Sequence, residues 1–274
     1  MSLTFFAKII YRPGIFSQKI YTVSMSEIFL IRHAQSESNV GKTDDDYDTI
    51  HLTENGREQA EKLANNFIAR FGAPDHIITS TYSRTAETAA PMINLALKAS
   101  NYKTEQFIDF SKLGKNGDNY NDNIWPSLRE FTYLQPSNII NSTIHDCIVK
   151  TQDFWNHARE NTTFRDTPTE NNIDNADVES LLEFAKRTDF ALESIAKKFS
   201  ATEEKIAIFS HGCTIAAMLD LIENSRDMDS TMRKMAENRR HAARPIPRNV
   251  QVAQVALANG KFTILDENVF RKTK

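Results

Sequence analysis

Two apolar runs, Ile28-Phe29-Leu30-Ile31 and Ile206-Ala207-Ile208-Phe209, each end at a histidine: Arg32-His33 after the first, Ser210-His211-Gly212 after the second. Runs this short, apolar at every position, read as strands buried on both faces. Between them the periodicity changes. Ala60, Leu63, Ala64, Phe67, Ile68 and Phe71 recur on one helical face, with Thr53 as N-cap and Gly72 and Pro74 as the stop. His76–Thr79 predicts a short strand, and residues 83–97 a helix that Pro91 would kink. Leu181, Ala185, Thr188, Leu192, Ile195 and Phe199 mark a long amphipathic helix over 177–199. Further helices are predicted over 214–222 and 225–243, and a hairpin over 250–257 and 261–265 turns at Asn259-Gly260. The strand–helix alternation predicts an α/β fold with parallel pairing. Its open sheet would bind ligands at the carboxyl ends of the strands, where both histidines fall.

Residues 100–175 lose this rhythm. They are rich in Asn, Asp, Thr and aromatics, with one predicted helix at 147–159. We read them as an insertion, or cap, over the strand ends, within a single domain of residues 25–274. Loops in that position commonly carry specificity.

Composition excludes more than it proposes. The chain has 274 residues, 40% hydrophobic and 25% charged, as a soluble globular protein has. Its net charge of −3 supplies no global basic field, so neither nucleic acid nor a membrane is an expected partner. No stretch reaches the roughly 18 apolar residues of a membrane span. Cys147 and Cys213 make no disulfide framework. No His-Glu-x-x-His pattern or Cys-rich set suggests a metal, and no cofactor is expected. Residues 1–24 carry Lys8, Arg12 and Lys19 and no acid, the composition of a targeting segment. They read either as such a disposable extension, or as sequence preceding a natural start at Met25, or as an extra strand. The expected compartment is the cytoplasm, with an organelle as the alternative if residues 1–24 direct it there.

Four motifs in order complete the pattern. Arg32-His33-Ala34-Gln35-Ser36 through Asn39 comes first, then Leu52-Thr53-Glu54-Asn55-Gly56-Arg57-Glu58-Gln59-Ala60. Ser80-Thr81-Tyr82-Ser83-Arg84-Thr85-Ala86-Glu87-Thr88 and Ser210-His211-Gly212 follow. Together they resemble the histidine phosphatase superfamily, the phosphoglycerate mutase-like proteins. The resemblance implies a three-layer α/β/α fold whose mostly parallel central sheet brings Arg32, His33, Arg84 and His211 to one end. It implies a phosphohistidine on His33, and His211 and Asn39 as further phosphate contacts. Arg32 and Arg84 suit the phosphate chemically, because guanidinium is planar, permanently charged and bidentate. Leu128-Arg129-Glu130 resembles the family's Leu-x-Glu and makes Glu130 the candidate general acid, partly buried among Trp125, Phe131 and Tyr133. Asp109, Asp118 and Asp122 of the insertion compete with it.

Departures from the family pattern select a subgroup. Ala34 replaces the usual glycine, the mutase-type Gly-Trp after Asn39 is missing, and Thr132-Tyr133-Leu134 stands where Gly-x-x-Glu-Gly is usual. No glycine precedes Glu179-Ser180, and the Arg-His-Gly-x-Arg-x-Pro of the acid phosphatase branch is absent. The expectation is a metal-independent phosphomonoester hydrolase acting on a phosphorylated small molecule or phosphoprotein. A mutase-type phosphotransferase, or a non-catalytic phospho-ligand binder, is the alternative.

Overall fold

The computed structural model describes residues 24–41, 49–99, 124–133, 144–166, 178–241 and 247–270. Residues 1–23 and the aspartates Asp109, Asp118 and Asp122 lie outside the described residues. Five strands form one sheet: β1 Met25–Arg32, β2 His76–Thr79, β3 Lys205–Ser210, β4 Val252–Ala258 and β5 Lys261–Asp266. Their order is β2-β3-β1-β4-β5, with β3 parallel to both its neighbours and β4 antiparallel to both of its own. Four of the five therefore point the same way. β3 inserts between the two strands that precede it in sequence, pairing Arg32 with Ser210 at the end of the ladder. That register puts the two histidine loops side by side.

Alternation along each strand builds two cores. Ile28, Leu30, Ile206, Ile208 and Val255 face Leu192, Ile195 and Phe199 of α4 (Leu181–Phe199) and Ile215, Met218 and Leu219 of α5 (Gly212–Glu223). Phe29, Ile31, Ala207, Phe209 and Val252 face Leu63, Ala64 and Phe67 of α1 (Glu54–Phe71) and Ala89, Met92 and Ile93 of α2 (Ser83–Ala99). Odd and even positions both meet helices, which explains why Ile28–Ile31 of β1 and Ile206–Phe209 of β3 are apolar at every position. A third cluster joins Phe131, Phe154 and Trp155 to Phe184 and, through Met232 and Met235, to α6 (Met228–His241). Phe154 and Trp155 lie on α3 (Ile144–Glu160), the helix predicted inside the insertion. No helix of the described residues is long and apolar enough to cross a membrane.

Element ends differ from the sequence reading for local reasons. α4 starts at Leu181 rather than 177 because Ser180 is its N-cap, in a reciprocal capping box with Glu183. α6 starts at Met228 because Ser225 and Arg226 adopt positive φ, which ends the preceding turn. α2 runs unbroken through Pro91. β4 starts at Val252, since Val250 has φ 54°, a backbone setting that a β-branched side chain rarely accepts. The Asn259-Gly260 turn has φ 50° and 71°, as a two-residue hairpin turn with two left-handed residues requires.

Candidate active site

β1 ends at Arg32, and the chain leaves the sheet as a turn that carries His33. His33 is buried, and its Nδ1 lies 2.7 Å from the carbonyl oxygen of Ala34. A carbonyl only accepts, so that contact places the imidazole proton on Nδ1 and leaves a lone pair on Nε2. β3 ends at Ser210, and His211 is the N-cap residue of α5. The two imidazole centroids are 5.2 Å apart. His211 is fully buried, with Nε2 2.7 Å from the Ser80 hydroxyl. Its Nδ1 is also buried and makes no hydrogen bond with the described residues. Thr85 Oγ1 donates to the carbonyl oxygen of Tyr82 at 2.6 Å, and the Tyr82 amide donates to Ser80 Oγ at 3.3 Å. A Ser80 hydroxyl that donates to Nε2 keeps the His211 proton on Nδ1.

Arg84 sits in the first turn of α2, buried, its guanidinium 4.6 Å from the centre of the Tyr82 ring. Arg32 Nη1 donates to the carbonyl oxygen of Pro247 at 2.6 Å. Burial, followed by the charges of Arg84 and Arg32, holds the His33 pKa well below the usual imidazole range. Burial likewise lowers His211, with Arg84 next in effect. The cluster therefore combines two fixed cations with two imidazoles kept neutral, an arrangement that favours an anionic ligand and a nitrogen nucleophile.

The remaining motif residues hold the His33 turn. Thr53 caps α1 by accepting from the Gly56 amide at 3.0 Å and donates to Gln35 Oε1 at 2.8 Å. Gln59 Oε1 accepts from the Gln35 amide at 3.0 Å. Thr88, one turn beyond Arg84, donates to the Arg84 carbonyl at 2.6 Å and accepts from the Ala34 amide at 3.0 Å. Gly56 passes so close that a Cβ there would stand 2.0 Å from the Gln35 carbonyl oxygen. Gly56→Ala must push back the backbone two residues from His33. We expect a loss of about 2 kcal/mol, or a melting temperature lower by about 4–8 °C in a domain of this size. A variant melting within about 1 °C of the wild type would show that the turn yields freely.

Asn39 is exposed, and its Oδ1 accepts from the Ser36 amide at 3.1 Å and from Asn249 Nδ2 at 3.0 Å. Those bonds are the bonds of a turn residue, and any bond to an anion falls to its Nδ2. Asn249 also donates to the His33 carbonyl at 3.0 Å, tying the His33 loop to the segment that leads into β4. Sequence reasoning missed Asn249, which sits in an irregular loop, and missed Ser80 as the partner of His211. The proximity of Ser80 to Arg84 in sequence was the available signal for the latter.

Glu130 follows a short 3-10 turn at Pro126–Leu128. Trp125 donates its amide to the Thr79 carbonyl at 2.9 Å, which docks this segment on the end of β2. The Glu130 carboxylate is held by backbone amides, Phe131 at 3.0 Å and Cys213 at 3.1 Å. Of the aromatic residues expected around it, Phe131 turns its ring to Phe184, stacking at 4.2 Å, and packs with Trp155. The Cys213 amide, in the first turn of α5, serves Glu130. The carboxylate and His211 thus share the first turn of α5.

The family model described as the histidine phosphatase superfamily (branch 1) matches residues 28–110 and 119–239. No curated protein matched the chain. Among solved structures, a mycobacterial glucosyl-3-phosphoglycerate phosphatase in complex with VO3 superposes with a TM-score of 0.57 at 18% identity, covering 88% of this chain and 98% of that one. One titled mycobacterial hydrolase 1 gives 0.59 at 16% identity, over 89% and 99% of the two chains. A phosphoserine phosphatase mutant from Entamoeba histolytica, in complex with phosphoserine, gives 0.52 at 15% identity, over 89% and 97%. At these identities the superpositions speak to the fold alone.

Proposed function

This chain belongs to the histidine phosphatase superfamily, branch 1, and we propose that within it the chain is a metal-independent phosphomonoester hydrolase with His33 as nucleophile. The observation that carries this reading is the His33 Nδ1 bond to the Ala34 carbonyl beside two arginines, which leaves Nε2 a neutral lone pair. In the proposed sequence, Nε2 attacks phosphorus in line and the bond to the leaving oxygen breaks. Arg32, Arg84 and the Nδ1–H of His211 hold the equatorial oxygens, joined by Asn39 through Nδ2. Glu130 gives its proton to the departing oxygen. It then takes a proton from a water that attacks the phosphohistidine, releasing inorganic phosphate and restoring His33. The substrate is a phosphorylated small molecule or a phosphoprotein, and the cytoplasm is the compartment we assign. The departures around Asn39 and Thr132 favour hydrolysis over mutase chemistry.

Hydrolysis of p-nitrophenyl phosphate in the presence of EDTA tests this directly. Steady release of phosphate, faster than any phosphoryl exchange with a bisphosphate primer, is the expected result; exchange that outpaces release would make the protein a mutase. The acid has its own test. Glu130→Gln should lower turnover of alkyl phosphates by about 100-fold or more, and of p-nitrophenyl phosphate only a few-fold, because nitrophenolate leaves without a proton. Equal losses on both would move the acid role to an insertion aspartate.

A further inference from the structure

Arg187 of α4 has an acceptor for each of the five N–H groups of its guanidinium. Nε and Nη2 clamp the two Glu179 oxygens at 2.7 and 2.6 Å. Nη1 donates to the carbonyls of Ser127 at 2.9 Å and Arg129 at 3.0 Å, and Nη2 reaches the Glu130 carbonyl at 3.3 Å. The pair is largely buried, with side-chain exposures of 14% and 9%. Neighbours add bonds to carbonyls of the same stretch. Ser210 Oγ donates to Leu128 at 2.8 Å, Thr214 Oγ1 to Arg129 at 2.6 Å, and the Glu179 amide to Thr132 at 2.8 Å. Residues 129–133 have no regular structure of their own. Their path is set from outside, by α4 and by the β3–α5 junction that also carries His211.

We propose that Arg187, gripped by Glu179, is the positioning residue for Glu130: it fixes the backbone on either side of the acid and so sets where the leaving-group proton is delivered. This rests on Glu130 being the acid. A simple structural role is the competing account, because a buried ion pair would also be missed on removal. The two differ in what they do to substrates. A misplaced acid slows only reactions that need its proton, and misplacement by about 1 Å can cost on the order of 100-fold. A loosened fold slows all of them.

The experiment compares Arg187→Lys, Glu179→Gln and Glu130→Gln, singly and with Arg187→Lys combined with Glu130→Gln, on an alkyl phosphate and on p-nitrophenyl phosphate. Lysine keeps the charge but offers a point ammonium in place of the planar fork. For Arg187→Lys we expect kcat on the alkyl phosphate to fall about 10- to 100-fold with KM little changed, and p-nitrophenyl phosphate turnover to fall no more than about 3-fold. Glu179→Gln should shift in the same direction by less. In the Glu130→Gln background Arg187→Lys should add no further leaving-group selectivity. Each protein's melting curve shows whether it is folded, and Glu179→Gln decides the matter if Arg187→Lys is not. Parallel losses on both substrates in the folded variants, or selectivity that multiplies with that of Glu130→Gln, would overturn the proposal and leave the acid in place. A Glu130→Gln enzyme without selectivity would remove the acid and the positioning role together.

Discussion

His33→Ala is expected to lower turnover of every phosphomonoester by about 10⁴-fold or more, because removing a covalent nucleophile removes the pathway rather than one stabilising contact. The variant should stay folded. Among the described residues the ring's one hydrogen bond joins Nδ1 to the carbonyl of the next residue, so its loss unlinks no distant elements of that set. The turn keeps its other ties: the His33 amide to the Ser210 carbonyl at 3.0 Å, the Ala34 amide to Thr88, and Asn249 to the His33 carbonyl. Two readouts check the expectation. Rates of p-nitrophenyl phosphate hydrolysis give the loss directly. Rapid denaturation in alkali during turnover should trap an acid-labile phosphoryl group on the wild type and none on the variant. Residual activity of a few per cent in His33→Ala, from protein with an unchanged melting curve, would remove His33 as nucleophile and leave the pocket as a binding site.

The sequence made the two histidine strands legible because strands buried on both faces must be apolar at every position, and the chain has few such runs. α1 and α4 were legible for the complementary reason, a clean stripe facing one core. What sequence periodicity does not encode is pairing over distance. Nothing local says that β3 enters between β1 and β2, although that insertion is what joins His33 to His211. The same limit hid Asn249, which reaches the His33 carbonyl across 216 positions, and the Arg187 clamp on residues 127–130. Glu179 lies just before the α4 N-cap, and the purpose of its ion pair with Arg187 depends on a segment some fifty residues earlier. Glu130 was found through a short resemblance, while its setting was not. The backbone amides that hold it come from its own neighbour and from α5, where a capping carboxylate also suits the helix dipole.

Arg84→Gln is the second large expectation, and it separates the proposed phosphate contact of this guanidinium from its effect on the imidazoles. As a phosphate ligand its removal should cost about 10²- to 10³-fold in kcat/KM. As a fixed positive charge it depresses both imidazoles, being the largest cause after burial for each. Taking it away must raise both pKa values. In the wild type His33 stays neutral below the ordinary imidazole value of about 6.5, so the acid limb of the kcat/KM profile should lie under that value. In Arg84→Gln protonation of Nε2 begins at higher pH, so the limb should move up towards about 6.5. Ionisation of the substrate phosphate is common to both proteins, so the difference between the profiles belongs to the enzyme. Stability follows the same sign. The unfolded chain takes up protons on these histidines near pH 6.5 while the folded wild type does not, so folding stability is intact above that pH. It falls on acidification, by up to about 1.4 kcal/mol per pH unit for each histidine. Arg84→Gln lets the folded state accept protons sooner, which makes that fall shallower. Urea midpoints between pH 8 and pH 5 measure it. Superimposable pH profiles, after scaling for the lower rate, would mean that Arg84 does not set the charge state of the pair, and the neutral imidazole of His33 would then depend on burial and on the Arg32 charge.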